Sequence, residues 1–252
     1  MKENKRTILF LVLGSFFIAN AIIAEFIGVK IFSFEKTLGL NPLNWNIFGN
    51  ILSLNLTAGV LLWPVVFIMT DIINEYFGHN GVRLFSYIAA GLVAYAFAAV
   101  YVTIHLTPSD FWIIKKTSQG DVNMQLAFNA IFGQGLWIII GSLVAFLIGQ
   151  LVDVYVFHAV KKRTGERMLW LRSTGSTLVS QFVDSFVVLF IAFYLGSGWS
   201  LKLVLGIGVV NYIYKFIVAI VLTPVLYLIH KIIDVYLGKE LAHKMMEEAA
   251  KD

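Results

Sequence analysis

Residues 8–29 read ILFLVLGSFFIANAIIAEFIGV, an apolar run longer than the roughly 20 residues a helix needs to cross a bilayer. Glu25 is its single charge. A secretory leader has a shorter apolar core and small residues at its cleavage site. Here the chain continues Glu25-Phe26-Ile27, so the run is expected to be a retained first span over 7–30. Five further stretches of the same character follow, at 57–77, 82–106, 127–158, 173–197 and 200–230. The expected fold is an all-α integral membrane protein of six transmembrane helices. Residues 1–230 form the transmembrane domain, and 231–252 a charged amphipathic tail at the cytoplasmic surface. The fourth and sixth stretches exceed the bilayer's needs and are expected to tilt or to emerge as helix beyond it.

Composition agrees. The chain is 59% hydrophobic and 13% charged, against roughly 25% charge in a soluble domain. It contains no cysteine, which excludes a disulfide framework and a thiolate metal site. The five histidines are scattered, no phosphate-binding loop occurs, and neither Gly-x-Ser-x-Gly nor His-Glu-x-x-His is present. No metal, cofactor or nucleic-acid partner is expected, and an enzyme is disfavoured. The connector 31–56, with Trp45 and Phe48, reads as an interfacial segment, and 107–126 as an aqueous loop.

Basic residues set the orientation. A cytoplasmic N-terminus puts Lys2, Lys5, Arg6, Arg83, the cluster Lys161, Lys162, Arg163, Arg167 and Arg172, and Lys231, Lys239, Lys244 and Lys251 on one side. The other side receives only Lys30, Lys36, Lys115, Lys116 and Lys202. Both termini are therefore expected in the cytoplasm of a plasma-membrane protein.

Against this apolar background stand Glu25, Asp71, Glu75, Asp153, Asp184 and Lys215, inside or at the edges of the spans. Each charge at bilayer depth costs at least about 2.5–3.5 kcal/mol, so such groups face one another, water or a polar substrate. Asp71, Asn74 and Glu75 share one helical face near the cytoplasmic end of the second span, below Pro64, which frees a backbone carbonyl. They suit a binding role, or a simpler pairing with Arg83 or the basic loop. On the fifth span Ser173, Thr177, Ser180 or Gln181, and Asp184 form a stripe. Asp184 lies roughly 16 Å along the helix from Ser173, near mid-membrane. The short turn at 196–199 can bring Lys215 of the sixth span beside it, as a pair that opens for substrate or as a permanent structural pair. Asn20 lies at mid-depth of the first span. Gly141, Ala145, Gly149 and Asp153 recur every four residues on the fourth, a close-packing stripe whose acid is expected to partner the basic loop, with Gln150 beside it.

These segments resemble the queuosine precursor transporter family, also called the vitamin uptake transporter family. The resemblance rests on Pro64, Phe67, Asp71, Glu75 and Gly78, on Leu169-Trp170-Leu171-Arg172, and on Ser176, Thr177, Ser180, Gln181 and Asp184. Gln150 to Phe157, Lys215 and Thr223-Pro224 extend it to residues 10–230. The chain departs from the family pattern in Trp63 before the proline, Ser185 after Asp184, Gly135-Leu136-Trp137 where a basic residue is common, and a long 31–56 connector.

The resemblance implies import of 7-cyano-7-deazaguanine, its 7-aminomethyl relative or a related deazapurine, for salvage into a modified tRNA nucleoside. Asn20, Phe67, Asp71, Glu75, Gln181, Asp184 and Lys215 become the substrate-binding candidates. Asp184 reads the guanine-like edge, Lys215 is its counter-ion when empty, Gln181 and Asn20 read carbonyl and ring nitrogens, and Phe67 stacks. Pro64, Arg172, Ser176, Ser180 and Pro224 are structural or gating candidates. The expected partners are the small-molecule substrate and membrane lipid, with a homo-oligomer left open. The alternative is the substrate-binding component of a multi-subunit ATP-driven vitamin transporter, docked through the Gly141, Ala145 and Gly149 stripe.

Overall fold

The computed structural model describes residues 2–133, 135–164 and 168–251, which leaves Arg167 of the basic cluster outside the described residues. Helix α1 (Lys2–Ile27) leads into a small folded cap made of β1 (Ile31–Ser33), α2 (Phe34–Thr37), β2 (Trp45–Ile47), β3 (Asn50–Leu52), β4 (Asn55–Thr57) and a 3-10 turn (Ala58–Leu61). β1 pairs antiparallel with β4, setting Phe32 opposite Leu56. β2 and β3 form a hairpin through Phe48 (φ 51) and Gly49 (φ 82), the positive-φ pair that a tight two-residue turn requires. The connector is thus more than an interfacial segment. Leu56, Val60 and Tyr214 form a core of their own with Phe32, Phe34, Leu54 and Val218, which seats the cap on the helix that carries Tyr214.

Glu35 organises the cap from within. Its carboxylate accepts from the Leu54 N–H at 2.7 Å and the Ser33 hydroxyl at 3.2 Å, with the Leu43 N–H at 3.5 Å. Burial pushes this carboxyl up, but the hydrogen bonds outweigh it and hold the group below the ordinary glutamate range.

α3 (Trp63–Ile104) is helical throughout except at Gly78, whose φ of 71 and ψ of −176 only glycine adopts readily. The chain reverses there. Phe10 of α1 stacks on both Phe77 and Phe85, whereas the other end of α1 meets Phe97 through Phe26 and the Gly59 turn through Ala24. Residues 63–77 and 79–104 therefore run antiparallel. The second span starts at Trp63 rather than 57, because 55–61 belong to the cap.

α4 (Asp110–Ile113), the hairpin β5 (Ile114–Thr117) with β6 (Gly120–Asn123), and α5 (Met124–Phe132) follow. The expected aqueous loop is therefore largely structured. The stretch expected as one span over 127–158 divides into α5 and α6 (Leu136–Thr164), broken at Gly133, whose backbone leaves the helical region at ψ 52. α7 (Leu169–Leu189) ends in a π-helical turn, Phe190–Leu195. α8 (Leu201–Leu237) outruns the domain boundary drawn at 230 by two turns, and the tail is a separate helix, α9 (Lys239–Lys251). α9 buries Ala242 and Met245 in the main core and is tied to α1 by Arg6–Glu248 at 2.8 Å.

Among the described residues, helical stretches 4–27, 63–104, 124–164, 170–195 and 201–237 are long and apolar enough to cross a membrane. Large apolar side chains such as Leu11, Phe16, Ile217 and Val221 point outward, while Thr70, Asp71, Glu75, Gln150, Asp153, Arg172 and Ser173 are buried. That is the arrangement of an all-α membrane protein, whose solvent is hydrocarbon.

Candidate functional site

The site lies where the 63–77 limb of α3 meets α6, α7 and α8. Asp71 faces the hydroxyl stripe of α7: Ser173 Oγ donates to Asp71 Oδ2, and Thr177 Oγ1 lies 3.4 Å from the same oxygen. One turn on, Glu75 is fully buried between Arg172 at 2.6 Å and Lys161 at 3.3 Å. Of the two pairings expected from sequence, the one with Arg83 is not made, and the one with the basic cluster is, through Arg172 and Lys161. Arg172 follows Leu171 onto the inner face of α7, and Lys161 extends from the last turns of α6. Removing one member of such a buried network strands the others, which is why it holds the helices together. His158 Nε2 lies 2.8 Å from Asn74 Oδ1, and the Tyr76 hydroxyl donates to Asp234 at 2.7 Å. The lower half of the 63–77 limb is thus laced to both α6 and α8.

Asp153 corrects an expectation. Rather than reaching the basic loop, it is buried against α7, with Ser180 Oγ 3.0 Å from its Oδ1. The reason is the stripe below it. A Cβ at Gly141 would sit 3.1 Å from the Val188 carbonyl and one at Gly149 3.6 Å from Asp184 Cβ, so α6 and α7 lie face to face and Asp153 is carried onto the contact. The same packing corrects the docking reading of Gly141, Ala145 and Gly149, since these residues are occupied by the chain's own α7. Ser176 and Ser180 are buried and lie 2.9 and 3.0 Å from carbonyls of their own helix.

Lys215 Nζ lies 2.5 Å from Asp184 Oδ2, joining α8 to α7. Lys215 lines two cavities. A chamber of about 450 Å³ is lined by Glu25, Ser142, Asp184, Ser185, Asn211 and Lys215, with residues of the cap at its rim. A small cleft of about 30 Å³ is lined by Trp63, Phe67, Asp71, Thr177, Gln181 and Lys215. Pro64 also lines the cleft, as does Thr223, just before Pro224, which shares a 2.9 Å hydrogen bond with Thr174.

The substrate-binding candidates therefore separate into groups. Phe67, Asp71, Gln181 and Lys215 meet at the cleft, Asp184 and Lys215 at the chamber, and Glu75 belongs to the ion network beneath. Asn20 lines neither cavity; its amide donates to the Phe16 carbonyl at 2.8 Å, one turn back on its own helix. Sequence reasoning missed Ser142, which donates to Glu25 and is inconspicuous in a small-residue stripe.

Over residues 57–229 the chain matches the family model described as "Putative vitamin uptake transporter". It is 31% identical over 185 residues to a "Probable queuosine precursor transporter" of Bacillus subtilis (strain 168), covering 71% of this chain and 74% of the relative. It is 27% identical over 230 residues to a "Probable queuosine precursor transporter" of Haemophilus influenzae, covering 88% and 85%. A "Queuosine precursor transporter" of Escherichia coli (strain K12) is 26% identical over 181 residues, covering 68% and 71%. No solved structure matches the chain.

Proposed function

The chain belongs to the vitamin uptake transporter family, and from that premise we propose that it imports a queuosine precursor, a 7-substituted deazaguanine, through the plasma membrane. The single observation that carries the reading is the Lys215–Asp184 pair at the floor of the 450 Å³ chamber. That volume lies within the roughly 300–1,000 Å³ of small-molecule sites. A desolvated ion pair gains little net stability, so its place facing a cavity suits a contact that opens for a polar ligand. Counting the antiparallel limbs of α3 separately makes six spans within a transmembrane domain of about residues 1–230. The positive-inside bias then turns the chamber and cap outward and the Glu75–Arg172–Lys161 network toward the cytoplasm. In this reading the chain is open to the outside and sealed within.

The test is uptake of 7-cyano-7-deazaguanine by the purified protein, reconstituted alone in liposomes. Saturable uptake, competed by 7-aminomethyl-7-deazaguanine, is the expected result. Uptake that requires added ATPase subunits would instead assign the chain to the multi-subunit class, which the burial of its Gly141, Ala145 and Gly149 stripe disfavours.

A further inference from the structure

We propose that the hydrogen-bonding edge of the base is read in the small cleft, by Asp71 and Gln181, and that the Lys215–Asp184 pair is the door between chamber and cleft. The inference rests on the deazaguanine reading above and assigns its recognition site.

Two residues that line this cleft each carry an orphaned atom. Asp71 Oδ1 and Gln181 Nε2 have no hydrogen-bond partner, although each residue is only 4% exposed. Leaving a buried polar group unmet costs about 1–3 kcal/mol, and more when it is charged. One atom is an acceptor and the other a donor, carried on separate helices, α3 and α7, that bound one cleft beside Phe67. A ligand that satisfies both presents an N–H next to a carbonyl on a flat ring. The cyclic-amide edge of a guanine-like base does so, and its exocyclic amine offers the same carboxylate a second N–H. Asp71 is also held in place: Ser173 and Thr177 occupy its Oδ2 and leave Oδ1 presented. Asp184, by contrast, already has the Lys215 ammonium.

The cleft's 30 Å³ holds about two waters, so a base enters only when the helices part. Lys215 lines both cavities, and breaking its contact with Asp184 joins them. α8 can bend for this at Pro224, which lacks the N–H that would tie it to the preceding turn.

The experiment is equilibrium binding of three bases to the purified full chain: 7-deazaguanine, 7-deazahypoxanthine without the 2-amino group, and 2-amino-7-deazapurine without the carbonyl. Wild-type protein is expected to bind either truncated base roughly ten- to a hundredfold more weakly. Asp71→Ala should erase the penalty for losing the amine. Removing the carbonyl also turns the ring N–H into an acceptor that faces Asp71, so Gln181→Leu should reduce that second penalty without erasing it. Asp184→Asn should retain both. If Asp184→Asn erases the penalties, or if Gln181→Leu keeps the carbonyl penalty in full, the cleft is not the reader. The latter comparison decides the matter even where Asp71→Ala fails to fold. Wild-type protein that shows no penalty for either truncated base overturns this inference alone; the proposed function stands or falls separately, on uptake of 7-cyano-7-deazaguanine.

Discussion

Lys215 and Asp184, 31 positions apart on α8 and α7, meet at 2.5 Å; Asp184 lines the large chamber, and Lys215 lines both the chamber and the small cleft. Asp184→Asn preserves the side chain's size and removes its charge, which leaves the ammonium unneutralised inside the membrane. Stranding one partner of a buried pair costs about 3–5 kcal/mol. The expected outcome is loss of at least about tenfold in uptake per inserted protein, measured in liposomes. Near-normal uptake by the inserted variant would mark the pair as packing alone.

Glu75 tests the opposite seal. Its carboxylate meets Arg172 at 2.6 Å and Lys161 at 3.3 Å with no exposed surface. Glu75→Gln leaves both cations facing a neutral amide, at a cost of about 3–5 kcal/mol by the same argument. Thermal unfolding in detergent should show a clearly lower midpoint. An unchanged midpoint would mean that the network does not hold α3 to α6 and α7.

Orientation is open to direct measurement. A reporter fused after Asp252, or inserted between residues 164 and 168, should read cytoplasmic, and one in the 31–56 cap should read external. Any reversed signal removes the six-span arrangement and the outward-facing chamber together.

The cap should respond to acid. Glu35 sits below the ordinary glutamate range when folded, because the Leu54 and Leu43 N–H groups and the Ser33 hydroxyl favour its charged form over the cost of burial. A depressed carboxylate contributes stability that is present at neutral pH and lost as pH falls through its folded value. The protection of the Leu54 amide, taken relative to the intrinsic exchange rate at each pH, should therefore fall as pH drops below the usual glutamate range. Glu35→Gln should leave that protection low at every pH. A wild-type amide that stays protected at low pH would show that Glu35 does not hold the cap.

Much of this architecture is legible along the chain. Hydropathy over 8–29 and the stretches after it is a local sum, and it announces a membrane protein without reference to any contact. The basic bias gives an expected orientation for the same reason, because it needs only which connector each residue occupies. Helical periodicity puts Ser173, Thr177 and Asp184 on one stripe, and the short turn after α7 suffices to suggest that Lys215 lies across from Asp184.

The helix-to-helix register is what the tertiary structure alone decided. Asp153 sits on the same stripe as Gly149 whether it meets Ser180 or a basic loop, and only the close approach of α6 and α7 selects the serine. Asn20 looks like a binding residue in sequence, yet its rotamer returns the amide to Phe16. Gly78 falls in the gap expected between the spans at 57–77 and 82–106; only the structure shows that the reversal is made at this one glycine with positive φ and that helix resumes at once after it. The cap, the choice of Arg172 for Glu75, and the division of the polar residues between a chamber and a cleft all depend on distances across the bundle. Periodicity states which face of a helix a residue occupies; packing between helices determines what that face meets.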